Sequence, residues 1–171
     1  GGTQNNGLNF HSKDLVLCSE ARAEATVIEC APNAIGIYLD GTLSRSALIE
    51  GFTIRGASGS GAAAVLYGNQ VRATLRNCRF LENRCVAWGG GGAPVTAAHS
   101  SPRFEDCIFR DNENLGESNG GALSIRWYGS AELIRCEFTQ NQYGWGIGGA
   151  LFVDLDAGII LLEQCTFEGN L

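Results

Sequence analysis

The chain has 171 residues, 44% of them hydrophobic, with 24 glycines, 3 prolines and a formal charge of −6. That size suits one domain with a continuous core, and the composition excludes both a collagen repeat and a disordered segment. The 12 basic residues are scattered, so nothing offers nucleic acid a positive patch, and no run of 18 apolar residues is present to form a membrane-spanning helix.

Methionine is absent, so the chain is expected to be a processed product or a piece of something larger, with no signal peptide legible in "GGTQNNGLNF". The seven cysteines are an odd number, and four belong to a repeat. That argues against a disulfide framework of the kind that staples small secreted folds.

Residues 1–47 are irregular. Leu15–Leu17 reads as a short strand, while "TVIEC" (26–30) and "IGIYL" (35–39) have strand character without a clear face. Cys18 and Cys30 bracket this excursion and form a candidate disulfide. From residue 48 the chain becomes regular. "NCRFLEN" (77–83) returns as "DCIFRDN" (106–112), "RCEFTQN" (135–141) and "QCTFEGN" (164–170), so cysteine, phenylalanine and asparagine each recur every 29 residues. A fixed period of that length signals stacked repeats.

An inside/outside slip identifies the type of stack. A strand points alternate residues to one side, so Cys136 and Phe138 share a face. The large apolar residue found in every repeat, however, lies three before the cysteine: Leu75, Phe104, Leu133 and Leu162. A spacing of three requires a corner between two strands, with one residue in the left-handed region. The corners fall at Arg76-Asn77, Glu105-Asp106, Ile134-Arg135 and Glu163-Gln164, and earlier at Glu50-Gly51, between Ile49 and the pair Phe52 and Ile54. Asn, Asp and Gly tolerate that backbone best.

A further strand follows each glycine pair: "GGAPVTA" (91–97), "GGALSIR" (120–126) and "GGALFVD" (148–154). Alternation turns Val95 and Ala97, Leu123 and Ile125, and Leu151 and Val153 inward. Pro94 cannot donate to a ladder, so pairing is expected to be imperfect there. Three short strands per coil describe an all-β, right-handed parallel β-helix of about six coils. Residues 1–47 are then irregular first coils and 48–171 regular ones, within a single domain. Cys78, Cys107, Cys136 and Cys165 form one interior ladder, and Phe80, Phe109, Phe138 and Phe167 another. The asparagines Asn83, Asn112, Asn141 and Asn170 end that wall.

With "GFTIRG", the repeated CxFxxN and the GGA motifs, the chain resembles the pectin-lyase-like superfamily of right-handed β-helices. Its alternating FxxN and GGA[ILV] motifs are similar to repeats of chlamydial-type polymorphic outer-membrane proteins, closely over 48–171 and loosely over 1–47. The resemblance implies an extracellular or cell-surface protein, either scaffold or carbohydrate-active.

Chemistry is sparse. Asp154 and Asp156 in "FVDLD", with Arg126 one coil back, are the candidate acid–base or calcium-binding group, since alternation directs both carboxylates outward beside the arginine. The plain alternative is a solvated ion pair, favoured because no lyase or hydrolase signature accompanies them. No cofactor is otherwise indicated, and His11 and His99 lie coils apart, which leaves no histidine-based metal site. His99 reads as a turn residue. Buried cysteines in a column read as small hydrophobes rather than as disulfides or a metal centre. Trp88, Tyr143 and Trp145 occupy the loops after FxxN and are candidate glycan or protein contacts, unless they fold back over the glycines. Cys85 stands outside the ladder as a free thiol or an intermolecular link. The expected function is a non-enzymatic surface stalk, adhesin or head-to-tail filament subunit; the alternatives are a polysaccharide lyase or hydrolase and a glycan-binding module. End-to-end self-association and a glycan or host-surface protein are the expected partners.

Overall fold

A computed structural model describes residues 7–60, 62–86, 93–116, 120–144 and 148–171. All of its sheets are parallel, and four of them run the length of a solenoid. Wall I holds six strands (Val16–Cys18, Leu48–Glu50, Thr74–Arg76, Arg103–Glu105, Ala131–Ile134, Ile160–Glu163). Wall II, also six-stranded, holds Val27–Glu29, Thr53–Arg55, Arg79–Leu81, Ile108–Arg110, Glu137–Thr139 and Thr166–Glu168. Wall III is four two-residue strands from Ser58–Gly59 to Gln142–Tyr143, and wall IV is five longer strands from Ile37–Leu43 to Leu151–Val153. Wall III is one strand per coil more than the sequence reading anticipated, because two-residue strands are too short to carry a visible alternation.

The corner between walls I and II sits where the spacing of three demanded it. Gly51, Asn77, Asp106, Arg135 and Gln164 have φ of 79°, 50°, 51°, 52° and 53°. A second left-handed series was not foreseen: Gly56, Glu82, Asp111, Gln140 and Gly169 turn the chain from wall II into wall III at φ of 76°, 55°, 55°, 55° and 63°. The irregular early strands each take a wall. The stretch around Leu17 lies in wall I, pairing Leu17 with Ile49, and "TVIEC" supplies the first strand of wall II, pairing Ile28 with Ile54. Between them a short helix, α1 (Arg22–Ala25), replaces the tight corner. "IGIYL" opens wall IV. Pro94 precedes its strand, where its carbonyl still accepts the N–H groups of Ala63 and Ala64 at 2.8 and 3.2 Å.

Three ladders explain the repeat. The phenylalanine rings stack face to face, with centroids 4.9 Å apart for Phe80–Phe109, 4.5 Å for Phe109–Phe138 and 4.8 Å for Phe138–Phe167. Phe104 meets Phe80 and Phe109 edge-on at 6.4 and 5.7 Å. The first three rings of the ladder are fully buried; Phe167, on the last coil, is 44% exposed.

Asn83, Asn112 and Asn141 each use the whole side chain. The Asn112 Nδ2 donates to the Phe80 carbonyl at 2.8 Å and to the Asn141 Oδ1 at 2.9 Å, while its own Oδ1 accepts from the Asn83 backbone N–H and Nδ2 at 3.2 and 3.0 Å. Asn141 repeats the pattern, Asn83 at the start accepts instead from the Ala57 backbone N–H at 3.1 Å, and Asn170 on the last coil accepts from Asn141 and donates to the Phe138 carbonyl at 2.8 Å. A buried amide with both ends satisfied is what lets a polar residue sit inside the stack.

The cysteines do more than fill space. The Cys107 thiol has two acceptors in reach of its single S–H, the Leu75 carbonyl one coil back at 3.3 Å and the Glu105 carbonyl at the corner at 3.4 Å; Cys78, Cys136 and Cys165 are placed the same way. A small apolar side chain with a weak donor thus packs beside corner carbonyls that already accept a backbone N–H from the preceding coil, Asn77 to Glu105 at 2.9 Å and Asp106 to Ile134 at 3.0 Å.

Candidate functional site

The outer surface has two places where side chains with chemical potential converge. The first is the bend where wall IV passes toward wall I. Register in wall IV puts Ile37, Ala64, Val95, Leu123 and Leu151 in one inward column, so Tyr38, Val65, Thr96, Ser124 and Phe152 point outward. Two residues on, Arg126 points outward too. Its guanidinium lies 5.4 Å above the Trp127 ring and 6.0 Å from the Phe152 ring, with Nε 4.0 Å from the Asp154 carboxylate. His99 stacks on Trp127 at 5.9 Å and approaches Tyr128 at 6.3 Å.

The structure therefore brings Arg126 and Asp154 together, as alternation required. Asp156 does not join them as a second strand carboxylate. The strand ends at Val153, and Asp156 lies exposed in the turn beyond, so period-2 reasoning was carried two residues too far. The Asp154 Oδ1 instead accepts the Leu155 backbone N–H at 2.9 Å. Among the described residues no group of three His, Cys, Asp or Glu side chains converges as a metal site would require. His99 is not in a turn. It belongs to the strand Val95–Ser100, at an irregularity in its pairing. Of the loop aromatics, Tyr143 lies half-buried in wall III, while Trp88 and Trp145 lie outside the described residues. Phe152 and Ser124 were missed as site residues. The "LFVD" and "LSIR" alternation placed both outward and was the available signal.

The second place is the corner between walls I and II, where α1 overhangs an open cleft of ≈ 630 Å³. It is lined by Cys18, Arg22, Glu24, Glu50, Asn77, Arg79 and Asp106, among others. Its carboxylates are already engaged: Glu24 with Arg79, Glu50 with the Asn77 amide at 3.1 Å, and Asp106 with both ends of the Arg135 fork at 2.7 and 2.9 Å. The hydrogen-bonded Arg135 guanidinium holds the Asp106 carboxyl below its ordinary range.

Cys18 and Cys30 are both free thiols, which corrects the proposed bridge. Cys18 ends a wall I strand in the open, whereas Cys30 follows a wall II strand and is buried against Gly36, so the corner and α1 separate them. Cys85, outside the ladder, is also free, and it is fully buried in wall III rather than open to an intermolecular link. Burial pushes Cys30 and Cys78 up to about 11 and Cys85 up to about 12, so these thiols stay protonated at neutral pH.

Wall I carries an ion-pair network on its outside. Glu105 lies between Arg76 (2.6 Å) and Arg103, and Arg103 also reaches Glu132 at 2.8 Å. Arg45 crosses several coils to bond the Arg72 and Ser101 carbonyls and Glu132. Burial alone would raise the Glu105 pKa, but the two guanidiniums outweigh it and the net shift is downward.

No curated protein and no solved structure matches the chain. The family model described as "Right handed beta helix region" matches residues 25–171. That span runs from the first wall II strand to the end of the stack, and the chain belongs to the right-handed beta helix family.

Proposed function

We propose that the chain is a structural segment of an extracellular or cell-surface solenoid, acting as stalk, adhesin or stacking unit rather than as a catalyst. One observation carries the reading: each coil offers the next the same side chains at the same places, so the coil-to-coil contact is generic. Leu162 and Phe167 on the last coil are 47% and 44% exposed, whereas Leu133 and Phe138, their partners one coil back, are fully buried. A second copy stacked head to tail would cover them as each coil covers the one before it. Unlike an interface of chance patches, such a contact repeats the interior of the protein itself.

Stacking is tested by analytical ultracentrifugation and electron microscopy at rising concentration, on the chain alone and on a version lengthened by one more copy of its 29-residue repeat. Rods formed by the chain alone and abolished by Phe167→Asp support stacking of copies; a lengthened, monomeric solenoid supports a stalk. Calcium-dependent turnover of an acidic polysaccharide, lost in Asp154→Ala, would overturn the non-catalytic reading.

A further inference from the structure

The outward face of wall I changes character along the stack. Register strings one of its columns through Val16, Leu48, Thr74, Arg103, Glu132 and Leu161. Arg103 and Glu132, in the middle, form an ion pair, as suits a sheet face in water. The two outermost members are apolar and open: Val16 is 66% exposed and Leu161 45%. Leu48, beside Val16, is apolar and half-buried. One exposed aliphatic residue is unremarkable, but here the apolar members of a single column stand only beside the two free edges of the sheet.

Their neighbours extend the pattern. Leu15 is exposed and Leu17 half-buried on the first strand, and Leu162 is exposed and Ile160 half-buried on the last. Each edge therefore carries three consecutive apolar residues, Leu15 to Leu17 and Ile160 to Leu162, next to backbone N–H and C=O groups on its free side. Such an edge is a template for a further strand. The short helix α1 overhangs the corner toward Asn77 and Asp106 of later coils, away from the free side of Val16–Cys18. Wall II offers less, since Ile28 on its first strand is already buried.

We propose that wall I carries the seam between two copies: Val16–Cys18 of one adds in parallel to Ile160–Glu163 of the other, with Val16 beside Leu161, Leu17 beside Leu162 and Cys18 beside Glu163. Leu161, Val16 and Leu48 then form one unbroken apolar stripe outside, while Leu162 meets Leu17 inside. A slip of one residue would set outward Val16 against inward Leu162, so side-chain parity fixes the register. The seam presupposes that copies stack, and it adds which wall joins them and how.

Cys18 is exposed and would face position 163 across the seam. In a Cys165→Ser background, Glu163→Cys treated with a short bismaleimide should give covalent multimers, one thiolate adding to each maleimide. Adding Cys18→Ser should remove them. In sedimentation at rising concentration, Leu161→Glu and Val16→Glu should each weaken association roughly tenfold, and Val16→Lys should restore it in Leu161→Glu. Both side chains point outward, so thermal midpoints should stay near that of the parent chain. Rods that form without the crosslink, or that ignore the outward variants, overturn this seam and leave stacking standing. No association at any concentration overturns both.

Discussion

Truncating Phe109 to alanine tests the ladder at its centre. The ring is fully buried, stacked on Phe80 at 4.9 Å and Phe138 at 4.5 Å, and meets Phe104 edge-on at 5.7 Å. A buried Phe→Ala change costs about 3–5 kcal/mol through lost transfer energy and the cavity left behind, and each aromatic pair adds roughly 0.5–1.5 kcal/mol. Neighbours on both sides are held in register by wall II, so collapse into the hole is restricted and the cost sits near the top of that range. Phe167, 44% exposed and stacked on one ring only, should lose about 1–2 kcal/mol on the same truncation. Urea denaturation followed by circular dichroism and by fluorescence gives both values, with coincident transitions checking two-state behaviour. Equal destabilisation by Phe109→Ala and Phe167→Ala would refute a continuous stacked column.

Asn112→Asp removes two donors and places a carboxylate beside the Phe80 carbonyl and the Asn141 Oδ1; it should destabilise by more than Asn112→Ala, itself about 2–3 kcal/mol, and urea midpoints in the reverse order would reject the amide ladder. Gln164→Gly relieves a left-handed residue at the last corner and should stabilise by roughly 0.5 kcal/mol, after the entropic cost of glycine is subtracted, as read by the thermal midpoint. Glu105 and Asp106 have folded pKa values below their ordinary 4.5 and 3.8, so each contributes stability that is present above those values and lost as pH falls through the depressed ones. Urea midpoints should fall on acidification below the ordinary carboxylate range, less steeply in Glu105→Gln; parallel profiles would count against the network. A disulfide-exchange reagent should label exposed Cys18 quickly and half-buried Cys165 slowly, and reach the other five thiols only on unfolding. Rapid labelling of Cys107 would contradict a closed core.

What could be read from residues alone was whatever repeats. Leu133 and Cys136 stand three apart, and that mismatch revealed the corner at Arg135 even though arginine is a poor left-handed residue. Gln140 is left-handed as well, but it stands between "EFT" and Asn141 with no alternation beyond it to slip against, so the second bend gave no signal. α1 was hidden for the opposite reason: four residues at a single corner have no period. At the surface site, alternation put Arg126 next to Asp154 but ran on to Asp156, because nothing in "DLD" announces that the strand has stopped. The left-handed backbone at Trp127 was invisible to pattern, since it shows only in register with Gly41 and Gly68.

The asparagine spine has a genetic corollary. Each amide is a tile whose top edge fits the bottom edge of its twin, so inserting or deleting 29 residues in frame returns every seam unchanged. An unequal crossover between two copies of the motif therefore alters length by one layer, about 4.8 Å, without opening a gap. A gain or loss of one residue would instead swap inside for outside along the remainder of that wall. Selection can tune the reach of such a molecule in whole steps only.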